Sequence, residues 1–348
     1  MSGHDVEVVP MRLPLRVLWR GAAAAAAVAV LSFANVPATS AVANPNAGPK
    51  TMVALGDSYA SGPLVPVQYE QPWGCLRSSN NYAHQVARQL GLALTDVTCS
   101  GASTKHMWER HGVSPEEQFA EYGAPLGYDG YPGNPPQLNA LGADVDIVTL
   151  QIGGNDIGFG SLATTCGEAA IQSQLNGGAG CQAAVEAEHP FERIDTTAPK
   201  IGEVLKQIHV LSPKAKIYVL GYPAIFKLGP TARCDAMGVG ESDAHYLRGV
   251  HEALNAMIQR VADDPDQTYS AATEYVDVYG PSAGHTACDL PVIRWVEPIV
   301  PVNAAAPVHP NLGGMTAIRD ILVPRVWPTG LPRPATLPGL PAPPNAPL

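Results

Sequence analysis

Four short runs of apolar, largely β-branched residues punctuate the middle of the chain. They occupy residues 51–56, 146–152, 216–221 and 275–279, and glycine or proline follows closely after each of the first three. Unbroken runs of this kind are typical of strands that are covered on both faces. The pattern therefore predicts four buried strands.

Between these runs, apolar residues recur every three or four positions, which is the spacing of a helix face. Such stripes run through residues 82–90, 201–208, 247–261 and 315–322. We expect Pro199 in the first turn of the second helix, and Ser242 and Asn311 just before the third and fourth. We interpret the stripes as core-facing. Alternating strands and helices predict a parallel α/β sheet with a ligand site at the carboxyl ends of its strands.

Both ends of the chain differ from this pattern. Arg12, Arg16 and Arg20 precede an apolar run at 22–33, and small residues follow as far as Ala43. This order is typical of a secretory signal peptide, and the run is short for the alternative, a membrane anchor. Prolines recur from residue 324 to 348. The sequence thus predicts a signal peptide at 1–43, a folded domain at 44–323, a proline-rich tail at 324–348, and secretion without a stable membrane span.

Composition narrows the class of protein. The chain has 348 residues, of which 46% are hydrophobic and 15% charged, and a net charge of −10. An acidic chain argues against nucleic-acid binding. Six cysteines without zinc-like spacing indicate disulfides in an exported protein, so we expect neither a metal nor a cofactor. Fifteen pairings are possible, of which the sequential one is the simplest. The cysteines are Cys75, Cys99, Cys166, Cys181, Cys234 and Cys288.

Four short features of the sequence offer candidate chemical groups. Ser58 follows the first strand in Gly-Asp-Ser, and Asn155 follows the 146–152 strand in Gly-Gly-Asn-Asp. Gly101 lies next to a cysteine, and His309 precedes the last helix. Alone, each feature has a plainer interpretation as a helix cap, an Asx turn, a tight turn or a surface histidine.

Together and in this order, the segments GDSYASG, TCSGAST, QIGGNDIGF and VHPNLGG resemble the SGNH/GDSL hydrolase superfamily. The runs CLRSSNNYAHQVA and YVDVYGPSAGHTACD resemble its secreted actinobacterial lipase/esterase branch. The resemblance spans most of residues 51–323. It implies a three-layer α/β/α flavodoxin-like fold with a five-stranded parallel sheet, and three sequentially paired disulfides.

The resemblance also implies a role for each matching residue. Ser58 is expected to attack an ester carbonyl, and His309 to act as its general base. The amides of Ser58 and Gly101 and the side chain of Asn155 are expected to bind the oxyanion. The implied substrate is an ester or lipid, and we expect a monomeric lipase or esterase without cofactors.

One position departs from the family pattern. The aspartate that commonly lies three residues before the histidine is replaced by Ala306. We hypothesise a Ser–His dyad in which the main-chain carbonyl of Ala306 or Pro307 accepts the Nδ1 hydrogen. Asp289 or Glu297 folding back to His309 is the alternative.

Other readings stay open at this point. Ser282 lies in a Gly-x-Ser-x-Gly nucleophile motif, although no helix is expected to follow it. Phospholipase of the A or D type, carbohydrate deacetylase and acyltransferase activities suit the same site, with a Gly/Pro/Tyr-rich loop at 123–136 over the cleft. A non-catalytic carbohydrate- or surface-binding module is a further alternative, with Trp73, Trp108 and Trp295 as stacking residues.

Overall fold

The computed structural model describes residues 50–68, 73–112, 133–177, 180–227 and 234–327. Five parallel strands form one sheet in the order β2-β1-β3-β4-β5. The strands are β1 (Thr51–Gly56), β2 (Ala93–Asp96), β3 (Ile147–Gln151), β4 (Lys216–Leu220) and β5 (Thr273–Val276). The predicted α/β class and five-stranded parallel sheet are confirmed.

Helices cover both faces of this sheet. They are α1 (Ser58–Ser61), α2 (Tyr82–Leu90), α3 (Phe159–Asn176), α4 (Cys181–Glu186), α5 (Pro190–Leu211), α6 (Glu241–Ala262) and α7 (Leu312–Val326). Val53 and Leu55 of β1 belong to the apolar cluster that contains the buried faces of α5 and α6. Met52 and Ala54 belong to the cluster that contains those of α2 and α7. Because side chains alternate along a strand, one strand serves both cores, which makes three layers.

The strand predictions differ in accuracy. β1, β3 and β4 agree with the predicted runs to within one residue at each end. β5 was predicted at 275–279 but ends at Val276, because Asp277 opens a turn by accepting from the amides of Tyr279 and Gly280 at 2.9 and 3.0 Å. β2 was not predicted. It is a short edge strand whose residues are all partly or fully exposed, so it lacks an apolar run.

Two predicted helix starts were wrong. α5 begins at Pro190, where the missing N–H of a proline at the first position costs nothing, and Pro199 lies inside the helix. α6 begins at Glu241, so Ser242 lies within it. The start of α7 is confirmed, since the Asn311 side chain accepts from the Gly314 amide at 3.0 Å.

The six cysteines pair sequentially, as the resemblance implies. Cys75–Cys99 links the segment after α1 to the loop after β2. Cys166–Cys181 joins α3 to α4, and Cys234–Cys288 closes the longest loop.

The final helix extends beyond the predicted start of the tail. α7 continues through Pro324 to Val326, which is buried. The Tyr218 hydroxyl donates to the Arg325 carbonyl at 2.9 Å, and Arg325 pairs with Glu274 at 3.1 Å. These contacts with β4 and β5 retain the last helical turn in the domain. The predicted signal peptide and residues 328–348 of the tail lie outside the described residues. Within the described ranges, no helix has the length and apolar character that a membrane span needs.

Removing residues 328–348 is expected to leave the melting temperature unchanged within about 1 °C. Ending the chain after Val323 instead removes the Tyr218 hydrogen bond and the buried Val326, and we expect a loss of roughly 2 kcal/mol in the free energy of unfolding. Denaturant unfolding of both truncated proteins and the full chain tests this. Equal stability of the two truncated proteins would contradict the extended boundary.

Candidate active site

Ser58 lies at the carboxyl end of β1, as predicted. Gly56 ends the strand at φ 150°, and a Cβ there would lie 2.5 Å from the Gln151 carbonyl of β3, so only glycine fits. Asp57 caps α1 by accepting from the Tyr59 amide at 2.9 Å. Ser58 is therefore the first residue of a short helix above the sheet edge.

His309 faces this serine. Its Nε2 is 2.7 Å from Ser58 Oγ, and its Nδ1 is 2.7 Å from the Pro307 carbonyl oxygen. A carbonyl only accepts, so Nδ1 carries the hydrogen and Nε2 accepts from the Ser58 hydroxyl. Burial lowers the pKa of the His309 imidazole below its ordinary value, and the hydrogen bond to Pro307 acts against that shift. The ring is thus neutral at pH 7.

The segment before His309 is tied to the rest of the domain. Tyr59, next to Ser58, donates its hydroxyl to the Val308 carbonyl at 2.6 Å, and its ring lies 5.0 Å from the imidazole. The Ala306 amide donates to the Pro63 carbonyl at 2.9 Å. Val308 has φ 60°, a left-handed conformation that is costly for a β-branched residue. These contacts hold a backbone path that the chain would otherwise avoid.

The two candidate third members of a triad bind elsewhere. The buried Glu297 carboxylate accepts from the Val302 and Asn303 amides and, at 2.6 Å, from Asn311 Nδ2. Burial acts to raise the pKa of Glu297, but the hydrogen bonds, those of Asn303 foremost, hold it below its ordinary value. Asp289 accepts from Thr286 and pairs with Lys227. Neither carboxylate hydrogen-bonds to the His309 ring.

Gly101 and Asn155 approach the same edge of the sheet. Asn155 Nδ2 donates to the Ala102 carbonyl at 2.8 Å, which joins the two loops. The Cys99 amide donates to the Gly56 carbonyl at 3.0 Å, so the loop that contains Gly101 lies next to the end of β1. Within the part of the chain that the structure describes, the Ser58 and Gly101 amides donate to no protein acceptor. The exposed Asn155 carboxamide has a second hydrogen to offer.

A buried hydrogen-bonded group beneath these residues was missed by sequence analysis. The Tyr222 hydroxyl donates to Asp57 Oδ2 at 2.5 Å and accepts from the Gly154 amide at 2.9 Å. Burial raises the pKa of Asp57 to about 7, against the effect of the Tyr222 hydrogen bond. One phenol thus links the carboxyl ends of β1, β3 and β4. The only signal in the sequence was the position of each residue after a strand.

A cavity of about 560 Å³ opens beside Asn155. Its lining includes charged side chains of both signs. The residues that line it are Ser103, Thr104, Lys105, Trp108, Glu109, Asn155, Asp156, Lys200 and Glu203.

Of the competing candidates, Ser282 and Trp295 make structural contacts. Ser282 is fully buried, where its hydroxyl donates to the Tyr279 carbonyl and accepts from the Ala224 amide, both at 2.7 Å. Trp295 stacks on His285 at 4.6 Å. Trp108 borders the cavity. The Trp73 side chain and most of the predicted loop at 123–136 lie outside the described residues.

Comparison with known proteins agrees with this geometry. The model of the GDSL-like Lipase/Acylhydrolase family matches residues 54–317. Lipase 2 of Streptomyces coelicolor is 36% identical over 298 residues, which cover 84% of this chain and 91% of that protein.

Two solved structures share the fold at 26% identity. Phospholipase A1 from Streptomyces albidoflavus NA297 has a TM-score of 0.60 and covers 79% of this chain and 98% of its own. The extracellular lipase from Streptomyces rimosus has a TM-score of 0.59, with 78% and 98% covered. The chain therefore belongs to the GDSL-like lipase/acylhydrolase family, in its actinobacterial branch, and is a carboxylic ester hydrolase with the flavodoxin-like SGNH fold.

Proposed function

We propose that this protein is a secreted lipase or esterase in which Ser58 and His309 form a catalytic dyad. The observation that carries the proposal is the continuous chain of hydrogen bonds from Ser58 Oγ through the imidazole to the Pro307 carbonyl, with both distances at 2.7 Å. The main-chain carbonyl takes the place of the aspartate of a triad, since it fixes the tautomer in which Nε2 is the base.

The reaction proceeds in two halves. Ser58 Oγ attacks the ester carbonyl carbon as its proton moves to His309 Nε2, and the carbonyl oxygen becomes an oxyanion. Collapse of this intermediate breaks the bond to the alcohol, which leaves with the proton from Nε2. Water then attacks the acyl-enzyme, again giving its proton to Nε2. The acid is released as the proton returns to Ser58.

The amides of Ser58 and Gly101 and the side chain of Asn155 would donate to the oxyanion. Such donors act only where charge develops, and the loss of one typically costs about 10²–10³ in kcat. A neutral carbonyl stabilises the imidazolium less than a carboxylate does. Accordingly, the oxyanion donors carry a larger share of the stabilisation than they do in a full triad.

The proposed location is extracellular, with residues 1–43 removed as a signal peptide. Three disulfides support it, because such bonds persist in oxidising compartments. The extracellular lipase of Streptomyces rimosus is a relative of this kind. We propose that the exported form is a monomer.

The charged cavity favours a second candidate, phospholipid hydrolysis. Lys105 and Lys200 lie in its lining together with Glu109 and Glu203. Ammonium groups suit a phosphate, and carboxylates suit a quaternary amine, so the pair of charges fits a zwitterionic head group. The phospholipase A1 of Streptomyces albidoflavus shares the fold.

Ser58→Ala is expected to lower kcat on p-nitrophenyl butyrate by at least about 10³-fold, since the nucleophile is lost. Ser282→Ala is the matched control. It removes two buried hydrogen bonds, so we expect about 1–3 kcal/mol less stability with kcat within twofold of the wild type. Initial rates and thermal melting of both variants give these numbers. Residual turnover by Ser58→Ala near the wild-type rate would refute the proposed nucleophile.

The acid limb of the pH profile of kcat/KM is expected to lie below pH 6.5, the ordinary imidazole value. The base must be neutral, and burial lowers the pKa of His309, so activity falls only as pH drops through that lower value. Asp57 is a second group that titrates nearby, with a pKa of about 7. The profile of Asp57→Asn separates the two. A limb near pH 7 that disappears in this variant would assign the titration to Asp57 instead.

Lys200→Ala is expected to raise KM for phosphatidylcholine about threefold to fivefold, in line with the modest strength of a partly solvated ion pair. The rate on p-nitrophenyl butyrate should stay within twofold. Lys214→Ala is the control, because Lys214 pairs with Asp146 at 3.2 Å and neither residue lines the cavity. If Lys200→Ala changes both substrates equally, the cavity does not bind the head group.

A further inference from the structure

Two loops that precede His309 expose large aliphatic side chains. Val292 is 89% exposed, Val300 76%, and Leu290 and Val302 each 67%. Ile293 and Ile299 are 44% exposed. We name these six residues the aliphatic surface. Single exposed apolar residues are common, but six within thirteen positions are a concentration of exposed apolar side chains, and such concentrations mark interaction sites.

The two loops are fastened to each other. Asn303 Nδ2 donates to the Pro291 carbonyl at 3.0 Å and to Glu297 Oε1 at 2.8 Å. The Val302 amide donates to Glu297 Oε2 at 2.8 Å. These hydrogen bonds hold the backbone of the two loops together, and the aliphatic side chains are exposed on them. The exposed side chains thus lie on loops whose backbones are joined by hydrogen bonds.

The aliphatic surface carries no exposed charge. Arg294 and Glu297 are the only charged residues between positions 290 and 302, and they are 7% and 0% exposed. The chain as a whole has a net charge of −10. An anionic membrane would repel this net charge, and none of the six aliphatic side chains can bind a lipid phosphate. Its chemistry instead matches an electrically neutral lipid surface, which apolar side chains enter without salt dependence.

The same loops contact the segment that carries the dyad. The Val308 amide lies 3.4 Å from the Pro298 carbonyl, and the Glu297 amide donates to the His309 carbonyl at 2.9 Å. Pro298 is the neighbour of Ile299, so the aliphatic surface adjoins the catalytic base along the backbone. The exposed aliphatic side chains and the imidazole that faces Ser58 thus belong to connected segments of backbone.

We infer that the protein docks through the aliphatic surface onto neutral lipid aggregates and draws its ester substrate from them. The inference deepens the proposed function, since it names aggregated neutral lipid as the substrate class of the Ser58 site. Docking itself depends only on the apolar loops. It is therefore measurable without turnover.

The test is flotation of the exported protein with vesicles of diether phosphatidylcholine, which contain no ester to cleave. We expect wild-type protein to float with the vesicles equally at low and high salt. The double variant Val292→Asp/Val300→Asp should show at least a tenfold lower partition coefficient. Val210→Asp is the matched control, because Val210 is 62% exposed near the end of α5, at the opposite edge of the sheet. It should bind as the wild type does.

Hydrolysis of dissolved p-nitrophenyl butyrate and thermal melting show that each variant is folded. The ratio of the rate on emulsified triglyceride to the rate on the dissolved ester should fall at least tenfold in the double variant. Unchanged vesicle binding by that variant would overturn the inference. So would binding that requires anionic lipid, or a wild-type dimer in sedimentation that the double variant loses. Failure of the proposed function has a separate sign, namely activity in Ser58→Ala.

Discussion

The hydrogen bond between His309 Nδ1 and the Pro307 carbonyl is the contact on which the arrangement of the site depends. It spans only two positions in the chain, so the orientation of the ring follows directly from the backbone path between them. A carboxylate at the end of a flexible side chain adjusts to its partner, whereas a carbonyl has no such freedom. The geometry of the base is therefore set by whatever fixes residues 306–309.

Several parts of the molecule share that task. Tyr59 connects α1, the helix that begins at Ser58, to Val308. Pro63 connects the loop after α1 to Ala306. Glu297 accepts hydrogen bonds from the amides of Val302 and Asn303. It also accepts one from the side chain of Asn311, which caps α7. Serine and histidine lie 251 positions apart in sequence, yet their distance is controlled by contacts that mostly involve their immediate neighbours. These contacts fix the relative position of Ser58 and His309 without a charged partner for the imidazole.

Sequence reasoning went furthest where the signal is local. The apolar run of β1 and the Asn311 cap of α7 were readable because the neighbouring residues alone determine them. Edge strand β2 could not be predicted, because its residues are partly or fully exposed and form no apolar run. Pro199 suggested a helix start, but packing against the sheet overrides one missing hydrogen bond. The contact between Asp57 and Tyr222 joins residues 165 positions apart, and no local pattern encodes it. The sequence left two carbonyls and two carboxylates as possible acceptors for His309 Nδ1, and only the folded backbone selects the Pro307 carbonyl.

The main-chain acceptor has a genetic consequence. An aspartate can be deleted by a single nucleotide change, but no substitution at position 307 removes its carbonyl. The acceptor therefore depends on the backbone path of residues 304–307 and not on a particular side chain at position 307. The substitutions that would disturb this acceptor are instead those of residues that hold the backbone in place, above all Tyr59 and Glu297. Besides the residues that react, the positions most sensitive to substitution should therefore include those that hold the backbone of residues 306–309.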